Sequence, residues 1–133
     1  MMMTMTKDDK SLQGLGIDII EIERIERSLS RYGQRFLARL FTQRELDYCN
    51  KHNYRARHLA GRFAAKEAVA KALGCGIGEN LSWKDIEILN NASGQPVVHL
   101  SPHRANHFGH PRLLLSISHC KAYANAVALW TKT

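Results

Sequence analysis

Apolar positions change period several times along this chain, and each change predicts an element. "GLGIDII", Gly14 to Ile20, is a short isoleucine-rich run entered through glycines, the pattern of a buried strand, with Asp18 interrupting it. From Glu21 the period lengthens: Ile22, Ile25 and Leu29 fall at i, i+3 and i+7, which predicts an amphipathic helix ending at Gly33. "RFLARLF" predicts a further short helical turn. "TQRELDYCNKH" opens another helix, with Thr42 as N-cap and Glu45 at the capping-box position. "NYRARH" leads into "LAGRFAAKEAVAKALG", Leu59 to Gly74, where helix formers fill every turn and Gly74 closes the segment. Its polar residues are only Arg62, Lys66, Glu67 and Lys71, so this helix is expected to be buried nearly all round.

"GCGIGENLS" is a turn-rich exit. "WKDIEILNNASGQPVVHL" predicts a hairpin, because Ile86 and Ile88 alternate with polar residues and Val97 and Val98 resume the apolar run after a cluster of turn formers. "SPHRANHFGHP" leaves room for one short helical turn, and "RLLLSISHCKAYANAVALW" predicts two strands turning near "SHCKA". The sum is an α+β domain: a small antiparallel-rich sheet of about four or five strands, with helices inserted after the first. Residues 1–13 are expected to be a flexible leader and 14–133 a single domain.

Composition narrows the setting. With 44% hydrophobic and 23% charged residues and no apolar run near the roughly 18 residues of a membrane span, a globular domain is expected, with no membrane partner. The start, "MMMTMTKDDKSLQ", lacks the basic and apolar regions of a secretory signal, and Cys49, Cys75 and Cys120 are odd in number without C-x-x-C spacing. Reduced thiols in the cytoplasm are the expectation. A net charge of +7, with Arg24, Arg27, Arg31, Arg35 and Arg39 in one early region, points to an anionic ligand or partner, or to a solvated helix face.

On a wheel at 100° per residue Ala60, Ala64, Glu67 and Lys71 fall within about 60°, predicting a shallow notch between small residues with a carboxylate and an ammonium one turn apart. The two are placed to form an ion pair or to share a polyanionic ligand. Asp18, in an otherwise apolar strand, is either a strand-end residue or a second carboxylate that needs a cation. Two carboxylates without an accompanying His-Cys set suit Mg²⁺ completed by waters and phosphates. "GCGIG" lacks the Lys-Ser/Thr ending of a P-loop and is assigned to a helix cap and turn. His103, His107 and His110 are interrupted by Gly109 and Pro111, so no zinc site is expected there. His119, where one strand turns into the next, is either a turn residue bonded to backbone or a site residue. No G-x-S-x-G elbow occurs.

Together "GLGIDIIEIERI", "RFAAKEAVAKALG", "SGQP" and "SISHCKAYANAVA" resemble, in order and spacing, the motifs of the AcpS-type 4'-phosphopantetheinyl transferases, the holo-acyl-carrier-protein synthases. The resemblance implies their fold and their reaction in fatty acid biosynthesis: transfer of 4'-phosphopantetheine from coenzyme A to a serine of an acyl carrier protein, releasing adenosine 3',5'-bisphosphate. It implies that Asp18 and Glu67 hold Mg²⁺ against the coenzyme A pyrophosphate and that Lys71 contacts that pyrophosphate or assists the leaving group. It also implies that Gly94, Gln95 and Pro96 line the adenine pocket and that His119 approaches the 3'-phosphate. Arg24, Arg31, Arg35 and Phe36 would dock the acidic carrier, and the active sites would lie between subunits of a homotrimer. Two bases remain open for the serine proton, Asp18 or a water on the metal. The alanines around Glu67 would then be clearance for metal and pyrophosphate. A small basic nucleic-acid-binding or interaction domain without catalysis is the rival, but the chain has no zinc knuckle, helix-turn-helix signature or RNP-like aromatic strand.

Overall fold

The computed structural model describes residues 11–132. The elements run β1 (Leu12–Glu21), α1 (Ile22–Tyr32), α2 (Gln34–Leu40), α3 (Gln43–Asn50), α4 (Arg55–Ala72), β2 (Ile86–Asn90), β3 (Pro96–Leu100), α5 (Pro102–His107), β4 (Arg112–His119) and β5 (Tyr123–Thr131). Every block of the sequence pattern forms the type of element it predicts, so the α+β class holds. Boundaries shift: α4 starts four residues before Leu59, and β1 starts at Leu12, so Leu12 and Gln13 belong to the strand rather than to the leader. Of the rest of the expected leader, residues 1–10 lie outside the described residues, and Ser11 O accepts from the Lys132 N–H at 2.8 Å.

The five strands do not join one sheet. β1, β5 and β4 form an antiparallel sheet in that order, while β2 and β3 form a separate antiparallel hairpin. A side chain anchors the hairpin elsewhere: the Ile88 N–H donates to Glu45 Oε2, tying β2 to α3. The capping box places Glu45 for this, since Thr42 caps the α3 N-terminus and Glu45 Oε1 accepts the Thr42 N–H at 2.9 Å.

Helix α4 is the axis of the core, with Ala60, Ala64, Ala65 and Ala68 all fully buried. Strand β1 lies against it at backbone distance. A Cβ added to Gly16 would stand 1.9 Å from Ala68 O, and one on Gly14 would stand 1.9 Å from Ala72 O. Nearer its N-terminus, on the same face, α4 meets β4, where a Cβ on Gly61 would stand 3.1 Å from Ile117 Cγ2. This corrects the expected notch: the alanine positions are filled by the protein itself, because small residues on helix and strand are what let the two backbones close up. Side chains alternate along β1, so Gly14, Gly16, Asp18 and Ile20 turn toward α4 while Leu15, Ile17 and Ile19 face outward at 59–63% exposure. No helix among the described residues is long and apolar enough to cross a membrane.

Candidate active site

Asp18 and Glu67, the carboxylates expected to act together, lie within range of each other's charge. Asp18 projects from β1 toward α4, and Glu67 rises from the half-buried flank of that helix close enough to feel its charge. Burial, and then the negative charge of Asp18, push the Glu67 carboxyl above the usual carboxylate range, against an opposing pull from Lys71. The partner of Lys71 is the strand, not Glu67: its ammonium donates to Asp18 Oδ1 at 3.1 Å and to Ile17 O at 2.9 Å. The ion pair is half open to solvent, with Lys71 49% exposed, and contributes at most about 1 kcal/mol to stability. What the arrangement offers is two carboxylates with one cation, a deficit of positive charge at a solvent-facing edge. Among the described residues no three His, Cys, Asp or Glu gather into a metal cage.

Lys66, the neighbour of Glu67, points the other way, into the core. Its ammonium lies 2.6 Å from both Glu45 Oε1 and Leu40 O and 3.1 Å from Trp83 O. Neither Lys66 nor Glu45 reaches solvent. Burial lowers the Lys66 pKa, and the Glu45 carboxylate opposes that effect. The pair fixes α4 in rotation between α2, α3 and the hairpin, and so fixes which flank presents Glu67.

A second cluster occupies the opposite flank of α4. A cavity of about 150 Å³ is lined by Arg57, His58 and Arg62 of α4, by Tyr48 of α3, by Asn90, Gly94 and Pro96 of the hairpin and by His119 at the end of β4. Gly94 and Pro96 therefore meet His119, three residues the sequence suggested would share a site. Gln95 is turned to the hairpin surface, where its Oε1 accepts from Asn91 Nδ2. Gly94 has φ +84°, which a β-turn of this kind requires. Arg62 is 4% exposed; it donates to Asn90 Oδ1, and its guanidinium lies 4.0 Å from the Tyr48 ring centroid. The Nε atoms of Arg57 and Arg62 are buried without an acceptor.

Tyr48, Arg57, His58, Arg62 and Asn90 were not singled out for this site from sequence. The available signal was that His58 and Arg62 are one turn apart on an alanine-rich helix, on the side away from Glu67 and Lys71.

On the remaining surface, Arg24 and Arg31 of α1 are exposed around a depression they share with Arg27, Ser28 and Tyr32. Ser28 and Tyr32 also border the next depression, about 560 Å³, with Arg35, Phe36, Arg39 and Phe63. The docking candidates thus form one continuous basic surface with a half-buried aromatic floor. His103 and His107 are exposed on α5, and His110 Nε2 lies 3.2 Å from Asn106 Oδ1, within hydrogen-bonding distance. Cys49, Cys75 and Cys120 are all free thiols.

Residues 14–128 match the 4'-phosphopantetheinyl transferase superfamily. The chain is 57% identical over 118 residues to the holo-[acyl-carrier-protein] synthase of Protochlamydia amoebophila, covering 89% of this chain and 97% of that protein. It is 52% identical over 116 residues to the synthase of the same name from Chlamydia trachomatis, covering 87% and 97%. Among solved structures it superposes on the Helicobacter pylori holo-[acyl-carrier-protein] synthase in complex with coenzyme A with a TM-score of 0.81 at 38% identity, covering 87% of this chain and 98% of that one. The Neisseria meningitidis enzyme superposes with a TM-score of 0.84 at 35% identity, covering 91% and 99%.

Proposed function

The chain belongs to the 4'-phosphopantetheinyl transferase superfamily, and from that premise we propose that it is a holo-acyl-carrier-protein synthase. It transfers 4'-phosphopantetheine from coenzyme A to a serine of an apo acyl carrier protein, with Mg²⁺, in fatty acid biosynthesis. The observation that carries this function is the proximity of Asp18 and Glu67 from two different elements, close enough that the Asp18 charge adds to burial in raising the Glu67 pKa. Such a pair calls for a cation, and two carboxylates at an open edge fit Mg²⁺, which commonly takes one or two carboxylates and completes its shell with waters and phosphates. Asp18 and Glu67 would hold it, and bound there it would neutralise charge on the reacting phosphate oxygens.

The remaining work falls to side chains. Lys71 is held beside Asp18 by two hydrogen bonds and is exposed enough to turn toward a pyrophosphate and counter charge on the departing bisphosphate. Asp18 is the candidate base for the serine hydroxyl on the protein itself. Gly94, Pro96 and His119, with Arg57 and Arg62, would take the nucleotide half of coenzyme A. Arg24, Arg31, Arg35 and Phe36 would take the acidic carrier, which accounts for the basic surface without nucleic acid.

Two features support active sites shared between copies of a homotrimer. His58 and Glu67 are nine residues apart on α4, about 180° on the wheel, so the cavity and the carboxylates lie on opposite flanks of the helix. In one copy coenzyme A would have to pass around α4 to reach both, whereas the cavity of a second copy facing the carboxylates of the first removes that detour. The outward face of the sheet, with Leu15, Ile17 and Ile19, supplies an apolar surface suited to such an assembly. A cytoplasmic setting agrees with three unpaired thiols.

The deciding experiment is incubation with apo carrier protein, coenzyme A and Mg²⁺, followed by intact-mass measurement of the carrier. The phosphopantetheine mass increment is expected, and its absence on several carriers would remove the assignment.

A further inference from the structure

The cavity beside α4 holds two arginines, Arg57 and Arg62, more positive charge than a neutral nucleotide base would need. Its lining includes Arg57, Arg62, His58 and His119 and no carboxylate. The Arg62 side chain is buried with Nε lacking an acceptor, and Arg57 Nε is in the same position. Buried donors without partners are costly, so the site is built for an anion that supplies acceptors.

Histidines form a ladder along one wall. The His58 ring stacks on His52 at 3.7 Å between centroids and 21° between planes, and meets His119 edge-on at 5.9 Å. Tyr48 packs against both His52 and His58. Face-to-face stacking holds the His58 ring in place but does not make His52 and His58 converge on a metal.

The charged and titratable groups facing His58 are Arg57 and Arg62 from its own helix, His52 from the turn after α3 and His119 from β4. Tyr48 and the hairpin residues Asn90, Gly94 and Pro96 add no charge. Burial and then these groups depress the His58 pKa to about 4, so the ring is neutral at pH 7 in the empty cavity. A dianionic phosphomonoester would reverse the sign of the local field, and its own second pKa of about 6 keeps it dianionic above pH 7.

We propose that His58 is a specificity-determining residue that reads the 3'-phosphomonoester of coenzyme A by taking up one proton from solvent as that phosphate enters the cavity. This rests on the transferase assignment and adds to it how coenzyme A is told from dephospho-coenzyme A. The arginines supply attraction to any anion, whereas a histidine that is neutral when the cavity is empty and charged when it is filled rewards only a ligand bearing the extra phosphate.

The test is calorimetric titration of the whole protein between pH 6.5 and 8.5, in buffers of different ionisation enthalpy. Coenzyme A, dephospho-coenzyme A and inorganic phosphate are run separately on wild type, His58→Phe and His58→Gln. Wild type should take up a fraction of a proton with coenzyme A and none with dephospho-coenzyme A. Its affinity for coenzyme A should rise as pH falls, by at most about tenfold per unit for one proton. Both variants should lose the uptake and reduce the preference for coenzyme A over dephospho-coenzyme A by about tenfold; the Gln variant serves if the Phe variant does not fold. Equal uptake with both ligands, unchanged uptake in the variants, or the same uptake and affinity with inorganic phosphate alone would overturn the proposal. Failure of coenzyme A to bind at all would instead overturn the transferase assignment.

Discussion

The Lys66 ammonium lies 2.6 Å from Glu45 Oε1, with both side chains sealed from solvent. The two residues are 21 positions apart, and each is further tied to backbone: Lys66 to Leu40 O and Trp83 O, Glu45 to the N–H groups of Thr42 and Ile88. One ion pair therefore joins α2, α3, α4 and the hairpin. Because Glu67 follows Lys66 directly, about 100° round the helix, the same pair decides where the candidate metal ligand points.

Glu45→Gln should destabilise the fold by about 3–5 kcal/mol, since it leaves the Lys66 charge buried without a counter-charge. Glu45→Ala with Lys66→Met should recover part of that loss, because the charge is gone while the Ile88 and Thr42 N–H groups stay unbonded. Urea unfolding of the single and double variants measures both; equal stability of Glu45→Gln and wild type would show the pair to be dispensable.

Glu67→Gln should cost about 10²-fold or more in transfer rate with the fold intact. Because the Glu67 pKa is raised in the folded state, ionising it costs stability above its unfolded pKa, so the Gln variant should be as stable as wild type at pH 7, or slightly more so. Added Mg²⁺ should raise the melting temperature of wild type more than that of the variant. Near-normal turnover would take Glu67 out of the site.

His58 predicts an acid limb in stability. Its folded pKa of about 4 lies below the unfolded value near 6.5, so the unfolded chain binds the extra proton first. Stability should fall as pH drops from about 6.5 to about 4, by roughly 1–2 kcal/mol once solvent screening of a partly exposed ring is allowed for. His58→Phe should flatten that portion of the pH profile in urea titrations, and an unchanged slope would assign it to other groups.

Arg24→Glu and Arg31→Glu should raise the apparent KM for the carrier by about tenfold or more at low salt, with little change in the KM for coenzyme A. Steady-state kinetics with each substrate varied in turn separates the two effects. Equal increases for both would count against docking on α1.

Ile17→Glu places a charge in the middle of the outward apolar face of β1, where Ile17 is 60% exposed. If that face joins subunits, sedimentation should show the variant as monomer where wild type is larger, with transfer activity lost alongside. A variant that sediments like wild type would move the interface elsewhere.

The type of every major element was legible along the chain, because the signals are local. The 3.6-residue period of Ile22, Ile25 and Leu29, the Thr42–Glu45 capping box and the turn formers of "NNASGQP" each act within a few residues. The motifs also named Asp18, Glu67 and Lys71, which the fold gathers at one edge. Tertiary structure decided what contacts what. Only packing shows that Ala68 and Ala72 are small because Gly16 and Gly14 come against them, that Lys71 turns to Asp18 rather than to Glu67, and that Glu45, a cap by its spacing, is also the counter-ion of Lys66. The histidine ladder was hidden for the same reason. His119 is distant in sequence from His52 and His58, and only the folding of the α3–α4 turn against α4 and the packing of α4 on β4 bring the three rings together. Local periodicity specifies which face a segment buries; the partner of a buried or charged side chain depends on closing the chain over tens of residues, and no short-range pattern records it.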